Sequence, residues 1–94
     1  MYLFNRKIFK KENYEEALKL IRELVAESQK EEGCIVYEVY QDLDSEFGLC
    51  IYEEWEGIEY LAAHQETEHF IKLVPQIGAL AEEKSPLYKF GKIK

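Results

Sequence analysis

At 94 residues the chain has room for a single domain, close to the size at which one core is only marginally self-sufficient, so a partner subunit would help. Its 47% hydrophobic and 14% aromatic content, with seven Tyr and five Phe, excludes disorder as the default state. A net charge of -7, from 19 acidic against 12 basic residues, argues against a nucleic acid or an anionic membrane as partner, since both need a basic face.

Tyr2 to Lys10 alternates as a strand, with Leu3, Asn5, Lys7 and Phe9 on one face and Tyr2, Phe4, Arg6 and Ile8 on the other. Asn13 reads as an N-cap, and Glu16 three residues later would complete a capping box. Tyr14, Ala17, Leu18, Ile21, Leu24, Val25 and Ser28 follow at helical spacing, with Gly33 as a left-handed cap. Cys34 to Gln41 is dense in β-branched and aromatic residues and starts a second strand; the polar stretch from Asp42 to Glu46 turns the chain, and Phe47 to Trp55 returns as a third. Gly57 breaks that strand, and Ile58, Leu61 and Ala62 suit a short helix ending near His64. Thr67 is placed to cap a further helix whose buried stripe would be Phe70, Leu73, Val74, Ile77 and Leu80, with Pro75 kinking or dividing it. Pro86 to Ile93 alternates as one last strand.

The order strand, helix, strand, strand, helix, strand is that of a ferredoxin-like α+β fold, a four-stranded antiparallel sheet with helices on one face, spanning 1–94 as one domain. Because the strands carry apolar residues on both faces, the uncovered face is expected to pack against the same sheet of a second copy, giving a homodimer. Arg6, Lys7, Lys10 and Lys11 would meet Lys84, Lys89, Lys92 and Lys94 if the first and last strands pair, either as a local basic patch or as lysines protecting a sheet edge. Cys34 and Cys50 fall on paired strands with Cys50 opposite about Val39, too far from Cys34 to bridge, so two free thiols are expected. With no apolar run of membrane-spanning length and no signal-peptide pattern, a cytoplasmic location is expected.

Chemistry must come from a small set of residues. There is no Gly-rich phosphate loop, no GxSxG, no HExxH and no dinucleotide fingerprint. His64 and His69 are the only histidines, and no Cys, Asp or Glu completes a ligand set at a recognised spacing, so no metal or other cofactor is expected. His64 suits a general base because imidazole titrates near cellular pH, although a lone His at an apolar face also serves structure. His69 suits a hydrogen bond at a helix start or a contact with substrate. Glu53 shares a face with Leu49, Ile51 and Trp55; a carboxylate there needs a partner, and it can orient His64 or pair with Arg6 or a lysine. Asn5 can hold a substrate carbonyl or a neighbouring strand. Trp55 can form core or, with Tyr37 and Phe70, an aromatic wall for a flat ligand.

The run Glu32, Gly33, Cys34, Tyr37, Tyr40, Gln41, Asp42, then Tyr52, Glu53 and Trp55, then Ala63, His64, His69 and Phe70 resembles the antibiotic biosynthesis monooxygenase family of dimeric α+β barrels. The resemblance covers nearly the whole chain. It implies a pocket between sheet and helices and several reactions: cofactor-free oxygenation of quinols or aromatic polyketides, isomerisation of phosphorylated autoinducer sugars, and haem degradation. Haem-degrading relatives resemble the chain at Asn5, but His64 stands where they have a second Trp and Val74 where an iron-ligating His is expected, which argues against haem. The leading expectation is a cofactor-independent monooxygenase of a small aromatic substrate such as a quinol, with His64 as base, Asn5 as donor, Glu53 in support, and Trp55, Tyr37, Phe70 and His69 around the substrate. The alternatives are an isomerase of a small phosphorylated carbonyl compound, using Arg6 and the terminal lysines, and a binding module without catalysis.

Overall fold

The computed structural model describes residues 1–94. Its elements are β1 (Tyr2–Phe9), α1 (Lys11–Ser28), β2 (Cys34–Gln41), β3 (Gly48–Trp55), α2 (Ile58–His64), α3 (Glu68–Leu80), β4 (Ala81–Lys84) and β5 (Tyr88–Phe90). The strands form one antiparallel sheet in the order β2-β3-β1-β4, with β5 also paired to β1. This is the ferredoxin-like α+β arrangement. No helix is long and apolar enough to cross a membrane.

The alternation of β1 and β3 divides their side chains as the pattern requires. Leu3, Asn5 and Lys7 stand opposite Glu53, Ile51 and Leu49, and these positions face the helices. α1 lays Ala17, Ile21, Leu24 and Ser28 on the sheet, at spacings of four, three and four, and α3 adds Leu73 and Ile77. The apolar members of this set form the core with Leu3, Phe9, Tyr37, Leu49, Ile51, Trp55 and Leu61. The other face of the sheet has no helix. Phe4 packs there at a tilt against Tyr88 and stacks with Phe90, at centroid distances of 5.1 and 5.8 Å, and Tyr40, Tyr88 and Phe90 are exposed.

Four expectations change. α1 begins at Lys11 and its N-cap is Lys10, with no side-chain cap; Asn13 and Glu16 lie inside the helix, where a capping box cannot form. α3 runs unbroken through Pro75: the missing N–H falls within a helix whose two buried residues, Leu73 and Ile77, anchor it on either side. The single last strand is two. β4 pairs the Lys7–Phe9 end of β1 and β5 pairs the Tyr2–Phe4 end, separated at Ser85–Leu87, where Pro86 has no N–H for the ladder. Cys50 stands opposite Tyr40 rather than Val39, and both cysteines are free.

Gly33 closes the loop between α1 and β2 with φ of +81°, the only positive φ in the chain, and a Cβ there would stand 2.2 Å from the Tyr60 ring of α2. Both the backbone and the packing therefore require glycine. Gly33→Ala is expected to cost about 1–3 kcal/mol, read as a lowered midpoint of urea unfolding.

Candidate functional site

A cavity of about 200 Å³ lies between the helix-covered face of the sheet, α2, α3 and the segment after β4. That is below the roughly 300–1,000 Å³ of sites for drug-sized ligands and suits a compound of one or two rings. Its apolar wall includes Leu24, Tyr37, Ile51, Leu61, Phe70, Val74 and Ile77; its polar groups are Asn5, Lys7, Glu53, His64, Gln65, Lys84 and Ser85.

His64 is the most constrained of these. The last turn of α2 delivers it to a position only 1% exposed, against the rings of Trp55 at 4.8 Å, Phe70 at 5.0 Å and Tyr37 at 5.3 Å. Thr67 fixes the same turn from below: its hydroxyl donates to the His64 carbonyl at 2.7 Å and accepts from the Phe70 amide at 3.2 Å, so one side chain caps α3 and holds the end of α2. Glu31, from the loop after α1, places Oε2 2.6 Å from His64 Nδ1 and 2.7 Å from His69 Nε2. A carboxylate oxygen only accepts, so both ring nitrogens that meet it carry the proton. In the neutral His64 ring Nε2 is then the basic nitrogen, and this buried atom has no partner in the protein.

Glu31 was not visible as a site residue in the sequence. The resemblance rests on its neighbour Glu32, which is exposed; no sequence spacing marks Glu31 as a partner of the two histidines, and the loop brings it to them in space by folding back over the start of α3. The ligand atoms of Glu31, His64 and His69 lie within 4.8 Å of one another. Two imidazoles and a carboxylate are a donor set that a divalent transition ion can use, while the 2.6 and 2.7 Å contacts are those of charge-assisted hydrogen bonds.

The other expected residues divide. Asn5, Tyr37, Glu53 and Phe70 line the cavity with His64. Trp55 does not: it is fully buried behind His64, and its indole N–H donates to Glu53 Oε1 at 2.9 Å, so it supports the site rather than walling it. His69 lies beyond Glu31, away from the wall, because its position in the first turn of α3 turns it toward the loop. Glu53 neither contacts His64 by hydrogen bond nor pairs with Arg6. Arg6 points to the opposite face of the sheet and pairs with Asp42. Asn5 accepts from the Lys7 ammonium.

Burial pushes the Glu53 carboxyl above the usual carboxylate range, against the opposing pull of the Trp55 hydrogen bond and of the charges of His64 and Lys7. It also pushes the Tyr37 phenol up, which keeps that hydroxyl protonated. The Cys34 thiol rises to about 11 through burial and the nearby Glu31 and Glu53 carboxylates, so it is no nucleophile at neutral pH. Because the folded state disfavours ionised Glu53, its contribution to stability falls as pH rises from the unfolded carboxylate range through the raised folded value. Glu53→Gln, which can still accept from Trp55, is expected to raise Tm at pH 8 over wild type. The gain should vanish near about pH 3.5, where the native carboxyl is protonated in both states; calorimetry at the two pH values checks this.

With this geometry, the chain can be set beside known proteins. The family model for antibiotic biosynthesis monooxygenase matches residues 1–76. "Uncharacterized protein YjcS" of Bacillus subtilis (strain 168) is 33% identical over 70 residues, which is 74% of this chain and 67% of that protein. A crystal structure described as an antibiotic biosynthesis monooxygenase is 29% identical, with a TM-score of 0.85 over 97% of this chain and 98% of that one. A Bacteroides thetaiotaomicron VPI-5482 protein, described as a conserved protein of unknown function and possible oxidoreductase, is 36% identical, with a TM-score of 0.86 over 95% of each chain. Matched along four-fifths of its length by that model, and sharing the fold of these relatives, the chain belongs to the antibiotic biosynthesis monooxygenase family.

Proposed function

We propose that the protein is a cofactor-independent monooxygenase of a small aromatic substrate, a quinol or a phenol with an activated methylene. The observation that carries this reading is His64: a buried imidazole on the cavity wall whose Nδ1 is committed to Glu31 and whose Nε2 is free to take a proton. Nε2 removes a proton from the phenol or methylene, and Glu31 stabilises the imidazolium that results. The electron-rich carbanion then passes its electrons to dioxygen and forms a carbon-bound peroxide. Loss of water from that peroxide leaves a carbonyl, so CH₂ and O₂ become C=O and H₂O with no external reductant. Tyr37, Phe70, Leu61 and Ile51 exclude water from the intermediates. The Asn5 amide, whose oxygen is held by Lys7, has its N–H groups left to hold the developing substrate oxyanion.

Family membership and the relative described as a monooxygenase support this reading. The test is oxygen uptake with a panel of one- and two-ring quinols and phenols that carry an activated methylene. His64→Ala should lower kcat by about 10²–10⁴-fold with the fold retained by circular dichroism, and Glu31→Gln should lower kcat with little change in KM. Uptake unchanged in His64→Ala would overturn the assignment of the base.

The working form is proposed to be a homodimer in a reducing, cytoplasmic compartment. The free thiols fit that compartment. The uncovered sheet face, with Phe4, Tyr52, Tyr88 and Phe90 on it, fits a second copy of the same sheet. Light scattering after gel filtration should give twice the chain mass, and Phe90→Asp should shift the equilibrium toward the monomer.

A further inference from the structure

The two ends of the cavity differ in charge. At one end stand His64 and Gln65; at the other stand Lys7, Lys84 and Ser85. β1 and β4 pair in a register that sets Lys7 directly opposite Lys84, and residues so placed share a face of the sheet. Like charges in that position repel, and the usual remedy is a carboxylate between them. None is present. The ion pairs of the protein are Arg6 with Asp42, Lys30 with Glu27, and the two histidines with Glu31; neither cavity lysine has an acidic partner.

Glu53, the one carboxylate on the wall, is committed to the Trp55 indole and driven toward its neutral form by burial. The Lys7 amine makes one hydrogen bond, to Asn5, which leaves two of its three donors unused. Lys84 is exposed as a residue, but its Nζ lies 3.5 Å from where a Cβ on Gly78 would stand, so the ammonium reaches across to α3 at the mouth of the cavity. Burial, and after it the neighbouring Lys84, lower the Lys7 pKa against the weaker opposing pull of Glu53, a strain that a bound anion would relieve. This concentration of positive charge occurs in a chain whose net charge is -7, so it is not part of a generally basic surface.

We propose that Lys7 and Lys84 form an oxyanion subsite within the cavity, so that the substrate is an aromatic compound bearing a carboxylate or phosphate, anchored at that end with its reacting ring toward His64. The assignment of the reacting end rests on the oxygenase reading; the anion preference does not. A charged head held by two ammonium groups fixes the ring in a cavity whose other walls are apolar and offer no orientation of their own.

The experiment is direct binding by calorimetry, which needs no turnover. The probes are 2,5-dihydroxybenzoate, its neutral methyl ester, and phenyl phosphate, at low and high salt. The acid should bind about tenfold or more tightly than the ester, with an advantage that shrinks as salt is raised. That advantage should disappear in Lys84→Met, whose exposed position leaves the fold intact, and persist in Lys7→Arg, which keeps the charge. Tighter binding of phenyl phosphate than of the acid would name phosphate as the anchored group, and the reverse order carboxylate. An ester that binds as well as the acid, or a preference surviving in Lys84→Met and in the Lys7→Met, Lys84→Met double variant, would overturn the subsite. Acid preference without oxygen uptake would instead count against the oxygenase and leave the subsite standing; uptake of neutral quinols without acid preference would do the opposite.

Discussion

One carboxylate oxygen ties three parts of the chain together. Oε2 of Glu31 reaches from the loop after α1 to His64 at the end of α2 and to His69 at the start of α3, at 2.6 and 2.7 Å. Each contact is a hydrogen bond to a charged group in a partly dry setting, worth on the order of 1.5–3 kcal/mol, which is a large share of the stability of a domain this small. The bond has a chemical consequence besides the mechanical one. By accepting from Nδ1 it sets the His64 tautomer and leaves the basic nitrogen where no protein group competes for it. The loop that carries Glu31 doubles back into β2 through Gly33, whose left-handed conformation lies against the Tyr60 ring.

Trp55 shows how packing serves the same site. Its ring lies against His64 and Tyr37 with no exposure, and its N–H is satisfied by Glu53, so a large apolar residue and a buried carboxyl resolve each other's difficulty. Behind the cavity the core is therefore fully buried, with its indole N–H satisfied. The pleat of β1 turns Asn5 and Lys7 inward together and Phe4 and Arg6 the other way. The register sets Lys7 opposite Leu49, while His64 packs on Trp55 at the far end of β3, so the lysine and the imidazole stand apart along the cavity.

Much of this was legible in the sequence because it follows from period. The alternation of Tyr2 to Phe9, the spacing from Ala17 to Ser28 and the Thr67 cap each report local physics, and each appears in the structure. The cavity positions of His64, Tyr37, Phe70, Asn5 and Glu53 follow once those faces are known. What escaped depends on contacts between distant residues. Glu31 sits in an aperiodic loop, 33 positions from His64, among other acidic residues that face solvent. β4 is written Ala81, Glu82, Glu83, Lys84, residues that favour helix, and only its pairing with β1 makes it a strand. The partner of Arg6 likewise depends on a distant contact: strand parity puts Arg6 on the face away from Glu53, and the hairpin turn brings Asp42 there.

The polar groups of the cavity also bear on why the chain keeps them. Asn5, Lys7, Glu53 and His64 occupy positions that a fold selected for stability alone would fill with aliphatic side chains, since each must be desolvated on folding. A domain of this size has few kilocalories to spare, so four such positions converging on one cavity argue for selection on chemistry rather than on packing. The uncovered aromatic face of the sheet points the same way. Burying it would recover apolar area that the small core cannot provide, and would do so on the side of β1 away from the cavity. The two faces of a single strand thus carry the two demands separately: the inward face of β1 holds groups that destabilise the monomer and serve the site, and its outward face holds the aromatic surface whose burial can offset them.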